Sequence, residues 1–379
     1  MGRPDTPTRV LIAGGGTAGH LVPGLSVAAA LVDAGVPARE IHFVGSDRGV
    51  EAEMVPAAGY GLDEVPSRGL ERKISLGAIK AGFGLLGAAR RGISIVGKRQ
   101  PGVVVSLGGH AALPGVVGAV VRRRPLVLME QNVKAGAVNK LLARFAKASA
   151  VSFPGTDLRR AHLTGNPLRA DLVAAAEARR GPDGDAVRAD ARRQLGLPVD
   201  RTVVLVTTGS LGSGRVNTAV RALADRWADR DDVAIRHVTG RRDHEALAAS
   251  APAPGSGLHY DIVAYEDRMP VAMAAADVAV TRAGASTCTE LAAFGVPSIM
   301  VPLPIATRDH QFANATVLAE AGGAVVVRDA DFDVDRLEAE LAPLVADAAR
   351  RGEMATAMAG QGRLDAAART AEVILEVAR

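Results

Sequence analysis

Glycine-rich loops recur along this chain, each between a short apolar run and a helical pattern, and they limit the chain to an open α/β fold. The apolar run from Thr8 to Ala13 leads into three glycines, and the runs at 202–206 and 278–280 lead into loops of small residues. Short apolar runs are typical of buried parallel strands, and a helix after each loop returns the chain to the start of the next strand. Because this alternation occurs in both halves, we predict two Rossmann-like domains facing across a central cleft.

The first glycine loop has the sequence GGGTAGH at residues 14–20 and fits the pattern G-x-G-x-x-G. After a strand and before a helix, this spacing can bind a dinucleotide. A dinucleotide site also calls for an acidic residue at the end of the second strand, but the run at 41–44 continues into Gly-Ser. The missing acid argues against a nicotinamide or flavin oxidoreductase. This class is kept as an alternative, which tight NADH binding without UDP binding would support.

The stretch from Asp277 to Ala315 carries the most informative pattern. Small residues follow its apolar run and lead into a helical pattern from Thr287 to Phe294, which Gly295 ends. Such a turn lets a ligand approach the backbone, and the unpaired N–H groups of the first helical turn can meet a phosphate. Glu290, one turn into the helix, can accept hydrogen bonds from ribose hydroxyls. We predict a nucleotide site here; an ordinary βαβ turn is the alternative.

The net charge of +4 is unevenly distributed. Residues 1–170 carry 22 Lys and Arg against 11 Asp and Glu, whereas the remainder carries 23 against 30. A basic first half indicates an anionic partner, such as a phospholipid surface, a polyphosphate substrate or nucleic acid. The only cysteine, Cys288, excludes an internal disulfide framework.

The segment 68–100 combines apolar residues at helical spacing with Lys and Arg. We predict that part of it forms a membrane patch, although a helix packed on the sheet is the alternative. The membrane patch comprises Leu76, Ile79, Lys80, Phe83, Leu86 and Arg90. Glycines at 77, 82, 84, 87 and 92 argue against one long helix.

The sequence has no apolar run near the roughly 20 residues of a membrane span, and its N-terminus lacks the apolar region of a signal peptide. We expect a cytoplasmic protein associated peripherally with the inner face of the cell membrane. We place the acceptor- and membrane-facing domain at 1–167, with a C-terminal helix at about 364–379 packing back on it. The donor-binding domain then covers 168–363.

Six motifs, in order and over nearly the whole chain, make the sequence resemble the MurG-like glycosyltransferases of family 28. They are GGGTAGH, EQN-x3-G-x2-N at 130–139, TGNPLR at 164–169, GSLG at 209–212, AGAST-x-TE at 283–290 and DHQ-x2-NA at 309–315. The resemblance implies a GT-B fold and inverting transfer of GlcNAc from UDP-GlcNAc to the C4 hydroxyl of lipid I, which gives lipid II. It implies no cofactor and no metal, and we attribute the Asp-x-Asp pairs at 183/185, 229/231 and 329/331 to acid-rich loops.

The resemblance also implies site residues. His20 matches the proposed general base, and a histidine that faces a cleft can deprotonate a sugar hydroxyl near neutral pH. Glu290 matches the ribose contact, and Glu266 falls where the family touches uracil through backbone, so we expect its identity to matter little. The remaining donor-site residues are Thr17, Ala18, Gly19, Asn132, Arg169, Ser210, Ala285, Ser286, Thr287, Cys288, Thr289 and Gln311. Those for the acceptor and its phosphates are Gly15, Gly16, Gly108, Gly109 and His110.

The implied partners are UDP-GlcNAc, a prenyl-pyrophosphate-linked acceptor and an anionic membrane surface, with no nucleic acid. The chain departs from the family pattern at Met129, at His110, in the loop 207–211 and at Arg308. These departures cluster around the acceptor side and the phosphate loop. They leave open a paralogue that glycosylates a different natural-product or glycolipid acceptor; a sugar-nucleotide sensor without activity is a weaker alternative.

Overall fold

The computed structural model describes residues 9–65, 77–209, 212–249 and 257–378, with the side chains of residues 77–85 left out of the description. Its strands are β1 (Val10–Ala13), β2 (Ile41–Ser46), β3 (Gly61–Val65), β4 (Val103–Ser106), β5 (Leu126–Glu130), β6 (Ala148–Val151), β7 (Ala161–Leu163), β8 (Thr202–Thr207), β9 (Val233–Val238), β10 (His259–Val263), β11 (Val278–Thr281), β12 (Ser298–Met300) and β13 (Ala324–Val326).

Helices alternate with these strands. They are α1 (Ala18–Asp33), α2 (Glu51–Ala57), α3 (Gly77–Arg99), α4 (Leu113–Val121), α5 (Ala137–Leu142), α6 (Ala170–Arg180), α7 (Gly184–Leu195), α8 (Gly214–Arg226), α9 (His244–Ala249), α10 (Met269–Ala275), α11 (Ala285–Phe294), α12 (His310–Glu320), α13 (Val334–Ala346), α14 (Ala348–Gly360) and α15 (Ala366–Val377).

The chain divides into two compact units, Met1–Arg169 with Asp365–Arg379, and Ala170–Leu364. Within the described residues, the sheet of the first unit has the order β3-β2-β1-β4-β5-β6-β7 and that of the second β10-β9-β8-β11-β12-β13. The strands pair in parallel throughout both sheets. Two helix-connected parallel sheets confirm the predicted α/β class.

The central strands β1, β4 and β5 of the first sheet are buried at every position, which explains why β1 is apolar without alternation. Val10 and Ile12 of β1 belong to a core with residues of α1 and α15, whereas Leu11 and Ala13 belong to a second core with residues of α3 and α4. Side chains alternate between the two faces of a strand, so a strand covered on both sides must be apolar at every position. The last helix of the chain, α15, therefore completes the core of the first unit.

The expectation that glycines would interrupt α3 is wrong, because the helix runs over 23 residues. Packing against α4 explains one of these glycines. A Cβ at Gly92 would collide with the carbonyl oxygen of Pro114, and a Cβ at Gly118 would lie 2.6 Å from the carbonyl oxygen of Gly92. Glycine at both positions lets the two helix backbones approach closely, which offsets its low helix propensity.

Candidate active site

The loop after β1 brings Thr17 and His20 together at the start of α1. Thr17 is the N-cap residue of α1, but its hydroxyl makes no capping hydrogen bond. Its Oγ1 instead lies 3.0 Å from Nδ1 of His20. Gly16 to Gly19 are exposed, Gly15 is buried and His20 is half-buried. The loop therefore presents backbone amides to solvent beside an oriented imidazole.

The hydrogen bond between Thr17 and His20 can run in either direction, and the direction decides which imidazole nitrogen carries the lone pair. If Nδ1–H donates to the hydroxyl oxygen, Nε2 carries the lone pair that a base requires. If the hydroxyl donates to Nδ1, the proton of neutral His20 is on Nε2. The same contact thus decides which nitrogen of His20 can accept a proton.

The loop after β4 borders the His20 ring through two glycines. A Cβ at Gly108 would lie 3.7 Å from Cδ2 of His20, and a Cβ at Gly109 would lie 3.8 Å from Cε1. Both glycines have positive φ, 81° and 70°, which L side chains rarely adopt. His110 follows them and is exposed. The paired glycines therefore allow this loop to approach the imidazole.

Glu130, which our sequence-based site omitted, organises the loop after β5. Its carboxylate accepts hydrogen bonds from the backbone N–H of Asn132 (3.0 Å) and of Gly136 (2.9 Å) and from Nδ2 of Asn139 (3.0 Å). Asn139 in turn accepts from Ser106 Oγ at 3.2 Å. Asn132, the predicted sugar contact, is half-buried, with Nδ2 3.4 Å from Glu130. The sequence signal for Glu130 was its place in the EQN motif, where it is the last residue of β5.

In the second unit, α11 begins at Ala285, two residues earlier than the sequence predicts. Gly284 is an extended N-cap residue without a side chain, and the first N–H groups of a helix lack partners in the preceding turn. Ser286 and Thr287 lie in this turn and are half-buried, as is Glu290 in the next one. The helix therefore directs backbone amides and its positive dipole end at the loop.

Some side chains of α11 are buried or bonded within the helix, and others remain candidates for ligand contact. Cys288 is fully buried, and burial raises the pKa of its thiol, so only its backbone can serve a ligand. Thr289 donates its hydroxyl to the carbonyl oxygens of Ala285 and Ser286, each at 2.9 Å. Of the side chains predicted for this segment, those of Ser286, Thr287 and Glu290 remain as candidates for ligand contact.

Gln311 connects the loops after β11 and β12. Its Oε1 accepts hydrogen bonds from the backbone N–H of Ala283 (3.2 Å) and of Leu303 (3.0 Å). Two N–H donors fix which end of the amide is oxygen, so Nε2 is directed away from them. Asn314, one turn later, donates to the carbonyl oxygen of Ala283 at 3.3 Å. Gln311 thus supplies an oriented N–H donor from a position that the fold itself requires.

The Glu266 carboxylate is buried and stabilises the loop after β10 through hydrogen bonds. It accepts from Arg236 Nε at 2.7 Å and from the backbone N–H of Arg268 at 2.9 Å. Arg236 is also paired with Asp261. The sequence-based expectation that the identity of residue 266 matters little does not account for this buried ion pair.

Ser210, the predicted phosphate contact, lies outside the described residues. The next polar residue that is described, Ser213, is the N-cap of α8 and lies 2.6 Å from an Arg282 guanidinium nitrogen. Arg282 also pairs with Asp329 at 2.7 Å, which gives this acid of an Asp-x-Asp sequence an arginine partner. Arg169, the predicted uracil contact, is exposed at the end of the first unit.

A buried polar network around His237 supports the second glycine loop. Its Nδ1 lies 2.8 Å from the Tyr260 hydroxyl and its Nε2 lies 3.1 Å from Asn217 Oδ1. Asn217 donates to the carbonyl oxygen of Thr239 at 2.9 Å, against which Gly212 packs. Burial lowers the pKa of His237 to about 4, so the imidazole is neutral at physiological pH.

We expect this histidine to make the second unit less stable in mild acid. Between pH 6.5 and about 4 the unfolded chain binds a proton at residue 237 that the folded chain does not. The free energy of unfolding should therefore fall by about 1.4 kcal/mol per pH unit as the pH drops through this window, and be unaffected above it. Urea unfolding at pH 7 and pH 5 measures this, and the loss should be about 2 kcal/mol smaller in His237→Gln. Equal losses in the two proteins would contradict the assignment.

Only part of the predicted membrane patch is described. Leu76 lies outside the described residues. Ile79, Lys80 and Phe83 lie on α3 at positions whose side chains are not described. Leu86 is 50% exposed, and Arg90, one turn further, is also exposed. No described helix is long and apolar enough to cross a membrane.

Comparison with known proteins gives matches along the whole chain. The model of the glycosyltransferase family 28 N-terminal domain matches residues 10–151, and that of the C-terminal domain matches residues 203–370. Two relatives, from Nocardioides sp. and Alkalilimnicola ehrlichii, are 41% and 38% identical over 372 and 371 residues. These matches cover 97% and 98% of this chain and 98% and 99% of the relatives.

Both relatives carry the name UDP-N-acetylglucosamine–N-acetylmuramyl-(pentapeptide) pyrophosphoryl-undecaprenol N-acetylglucosamine transferase. Among solved structures, Acinetobacter baumannii MurG superposes with a TM-score of 0.78 at 25% identity, covering 98% of this chain and all of that one. A glycosyltransferase of kitacinnamycin superposes with a TM-score of 0.70 at 18% identity and shows the same fold.

Proposed function

The chain belongs to glycosyltransferase family 28 and has the GT-B fold of MurG, and from this premise we propose that it transfers GlcNAc from UDP-GlcNAc to the C4 hydroxyl of lipid I, giving lipid II. Lipid I is undecaprenyl-pyrophosphoryl-MurNAc-pentapeptide. The observation that carries the proposal is the 41% identity, over 97% of this chain, to a relative named for this transfer. The two family models match both halves of the chain, which supports assigning both donor binding and acceptor binding to it.

We assign the general base to Nε2 of His20. In the proposed reaction the acceptor oxygen attacks C1 of GlcNAc, the bond from C1 to the diphosphate breaks, and Nε2 takes the hydroxyl proton. Inversion follows from this single displacement. The support is the 3.0 Å contact with Thr17, since donation by Nδ1–H would fix the tautomer in which Nε2 is the acceptor.

We assign the donor contacts to the second unit, and we assign the exposed amides of Thr17 to Gly19, which the family resemblance placed in the donor site, to the acceptor phosphate. The N–H groups at the start of α11 would meet the diphosphate, whose negative charge grows as UDP leaves. Glu290 would accept hydrogen bonds from the ribose hydroxyls, and Nε2 of Gln311 would donate to a GlcNAc oxygen. The support is local: α11 has no side-chain cap, and the Gln311 oxygen is held by two amides.

A radiolabel assay tests the function. The purified chain is incubated with UDP-[14C]GlcNAc and a soluble lipid I analogue in detergent, and the product is analysed for a β-1,4 linkage. We expect label in the lipid analogue and release of an equal amount of UDP. If the lipid I analogue stays unlabelled while another prenyl-linked or natural-product acceptor is glycosylated, the acceptor assignment is wrong and the paralogue alternative holds. If no acceptor is labelled and UDP-GlcNAc does not bind, the enzymatic proposal fails.

We also propose that the α3 surface with Leu86 and Arg90 contacts an anionic membrane, which places the enzyme at the inner face of the cell membrane. The first unit has further exposed apolar side chains in and just after α5, with Leu141 61% and Phe145 43% exposed. Basic side chains near an anionic bilayer contribute about 1 kcal/mol each.

Leu86→Asp combined with Arg90→Glu should therefore reduce sedimentation with phosphatidylglycerol-containing vesicles by about tenfold or more. Val199→Asp combined with Arg350→Glu makes the same change of three charge units at exposed residues of the second unit, so it is the matched control and should bind as the unmodified protein does. Unchanged sedimentation of the double variant would remove this surface from the membrane contact.

A further inference from the structure

The Glu51 carboxylate is buried beneath the first glycine loop, and the function proposed above does not use it. Glu51 is the first residue of α2 and has no solvent exposure. Its Oε2 accepts a hydrogen bond from the backbone N–H of Gly16 at 2.8 Å, and its Oε1 accepts from the backbone N–H of Ser46 at 2.7 Å. One side chain therefore joins the loop after β1 to the end of β2.

Glycine surrounds this carboxylate on three sides. A Cβ at Gly15 would lie 2.6 Å from Cδ of Glu51, a Cβ at Gly45 would lie 2.8 Å from Cγ, and a Cβ at Gly49 would collide with Oε2. Real side chains do not approach so closely, so a Cβ at any of these positions would force the Glu51 carboxylate to move. Two loop glycines and one glycine of β2 thus leave room for a single buried acid.

Burying a carboxylate is costly unless its oxygens are hydrogen-bonded or paired. Within residues 9–65 and the other described segments, the polar partners of Glu51 are backbone N–H groups, with no Lys, Arg or His paired to it. Charge-assisted hydrogen bonds from amides can offset the cost of burial. The arrangement resembles an anion-binding loop in which the protein supplies its own anion.

The position of this internal anion bears on the reacting groups. Gly16 directly precedes Thr17, whose hydroxyl contacts His20. Because Glu51 takes the Gly16 amide, a substrate phosphate has only the following amides, those of Thr17 to Gly19, to bind at the exposed start of α1. The direction of those amides, and of the Thr17 side chain, depends on the peptide that Glu51 holds.

We propose that Glu51 is a positioning residue: it occupies the Gly16 amide as a built-in anion and thereby aims the Thr17–Gly19 amides at the acceptor phosphate and Thr17 at His20. The proposal rests on the transferase function inferred above. It predicts effects on kcat and on the KM for the lipid I analogue, with no effect on the KM for UDP-GlcNAc, which the second unit binds.

Two Glu51 variants test the charge and the reach of the side chain. Glu51→Gln keeps the shape but turns an NH₂ group toward one of the two N–H donors, and Glu51→Asp is too short to reach both. Small misplacements of a catalytic group can cost about 10²-fold in rate. We expect each variant to lower kcat by about 10–100-fold and to raise the KM for the lipid I analogue several-fold, with the KM for UDP-GlcNAc within about two-fold.

Glu53→Gln is the matched control, because Glu53 lies on the same helix and is exposed; it should leave all three constants unchanged. A variant that merely folded less well would show a lower kcat with both KM values unchanged. That pattern, or kinetics equal to those of the unmodified protein, would overturn the proposal.

A double-mutant cycle with Gly49 tests the cage directly. Gly49→Ala should lower kcat in the unmodified background, because its Cβ collides with the carboxylate. In the Glu51→Ala background the collision is gone, so adding Gly49→Ala should change kcat by less than two-fold, and the two effects should not be additive. Full additivity would contradict a cage built around the carboxylate.

Hydrogen exchange supplies a readout that does not require activity. In Glu51→Ala, peptides covering residues 14–17 and 45–48 should exchange at least tenfold faster, whereas peptides of the second unit should not change. Faster exchange together with no transfer by the unmodified protein would reject the proposed function alone. Transfer by the unmodified protein, with unchanged exchange at Gly16 and Ser46, would reject the role of Glu51 alone.

Discussion

Replacing His20 with alanine is expected to lower kcat for transfer to the lipid I analogue by about 10²–10⁴-fold, the range that a positioned general base contributes. The KM for UDP-GlcNAc should stay within about two-fold, because the donor contacts that we assign lie in the second unit. Steady-state kinetics with each substrate varied in turn measures both effects. Undiminished turnover by His20→Ala would remove His20 as the base.

A substitution at Thr17 is a second test of His20 as the base, because Thr17 contacts the nitrogen that sets the imidazole tautomer. Thr17→Val keeps the shape of the side chain but removes the oxygen 3.0 Å from Nδ1. Without that acceptor, Nδ1–H loses its partner and the imidazole is free to adopt the tautomer with Nε2 protonated. We expect a loss of about tenfold in kcat, comparable to one hydrogen bond. In the His20→Ala background the same substitution should have almost no effect.

His110→Ala is the control for changes at a neighbouring histidine. His110 follows the paired glycines that border the His20 ring, but it is exposed. If His110 were the base, its substitution and not that of His20 would abolish turnover. We expect His110→Ala to affect the KM for the acceptor at most, since we place this residue on the acceptor side.

The apolar strand pattern allowed the fold to be predicted from sequence because the central strands are covered on both faces. Val10 to Ala13 had to be apolar at every position, and this run, followed by glycines, predicts a parallel strand. The length of α3 could not be predicted from sequence in the same way. Gly92 lowers helix propensity, but only the packing partner, Pro114 of α4, shows why glycine is present. A contact between distant segments leaves no local signal.

The site was predictable where a residue acts through its backbone or its position in a motif, and less so where a buried acid acts on a loop. The sequence offers only a late acid, Asp47, after the second strand, yet Glu51 lies five residues after Ser46 and binds both that strand end and the glycine loop. Glu130 was visible only as part of a motif. Neither the donors of Glu130 nor those of Glu51 are encoded in local spacing, because their positions depend on the tertiary fold.

Gln311 combines a structural and a binding role, and two substitutions separate them. Gln311→Glu keeps oxygen acceptors for the amides of Ala283 and Leu303 but replaces the Nε2 donor that we assign to GlcNAc. Its KM for UDP-GlcNAc should rise by about 10–100-fold, because a donor to the sugar is lost and a negative charge is brought near the diphosphate. Its thermal stability should equal that of the unmodified protein.

Gln311→Leu removes the donor and the acceptor together. The amides of Ala283 and Leu303 then lose their partner, which costs about 1–3 kcal/mol for each buried group, so this variant should unfold at a lower urea concentration as well as bind the donor weakly. Gln361→Glu, at an exposed residue of the same unit, controls for the added charge and should change neither property. If Gln311→Glu bound UDP-GlcNAc normally while Gln311→Leu lost both stability and binding, Gln311 would act only by holding the loops after β11 and β12. The sugar would then have to be recognised by a different donor in the second unit.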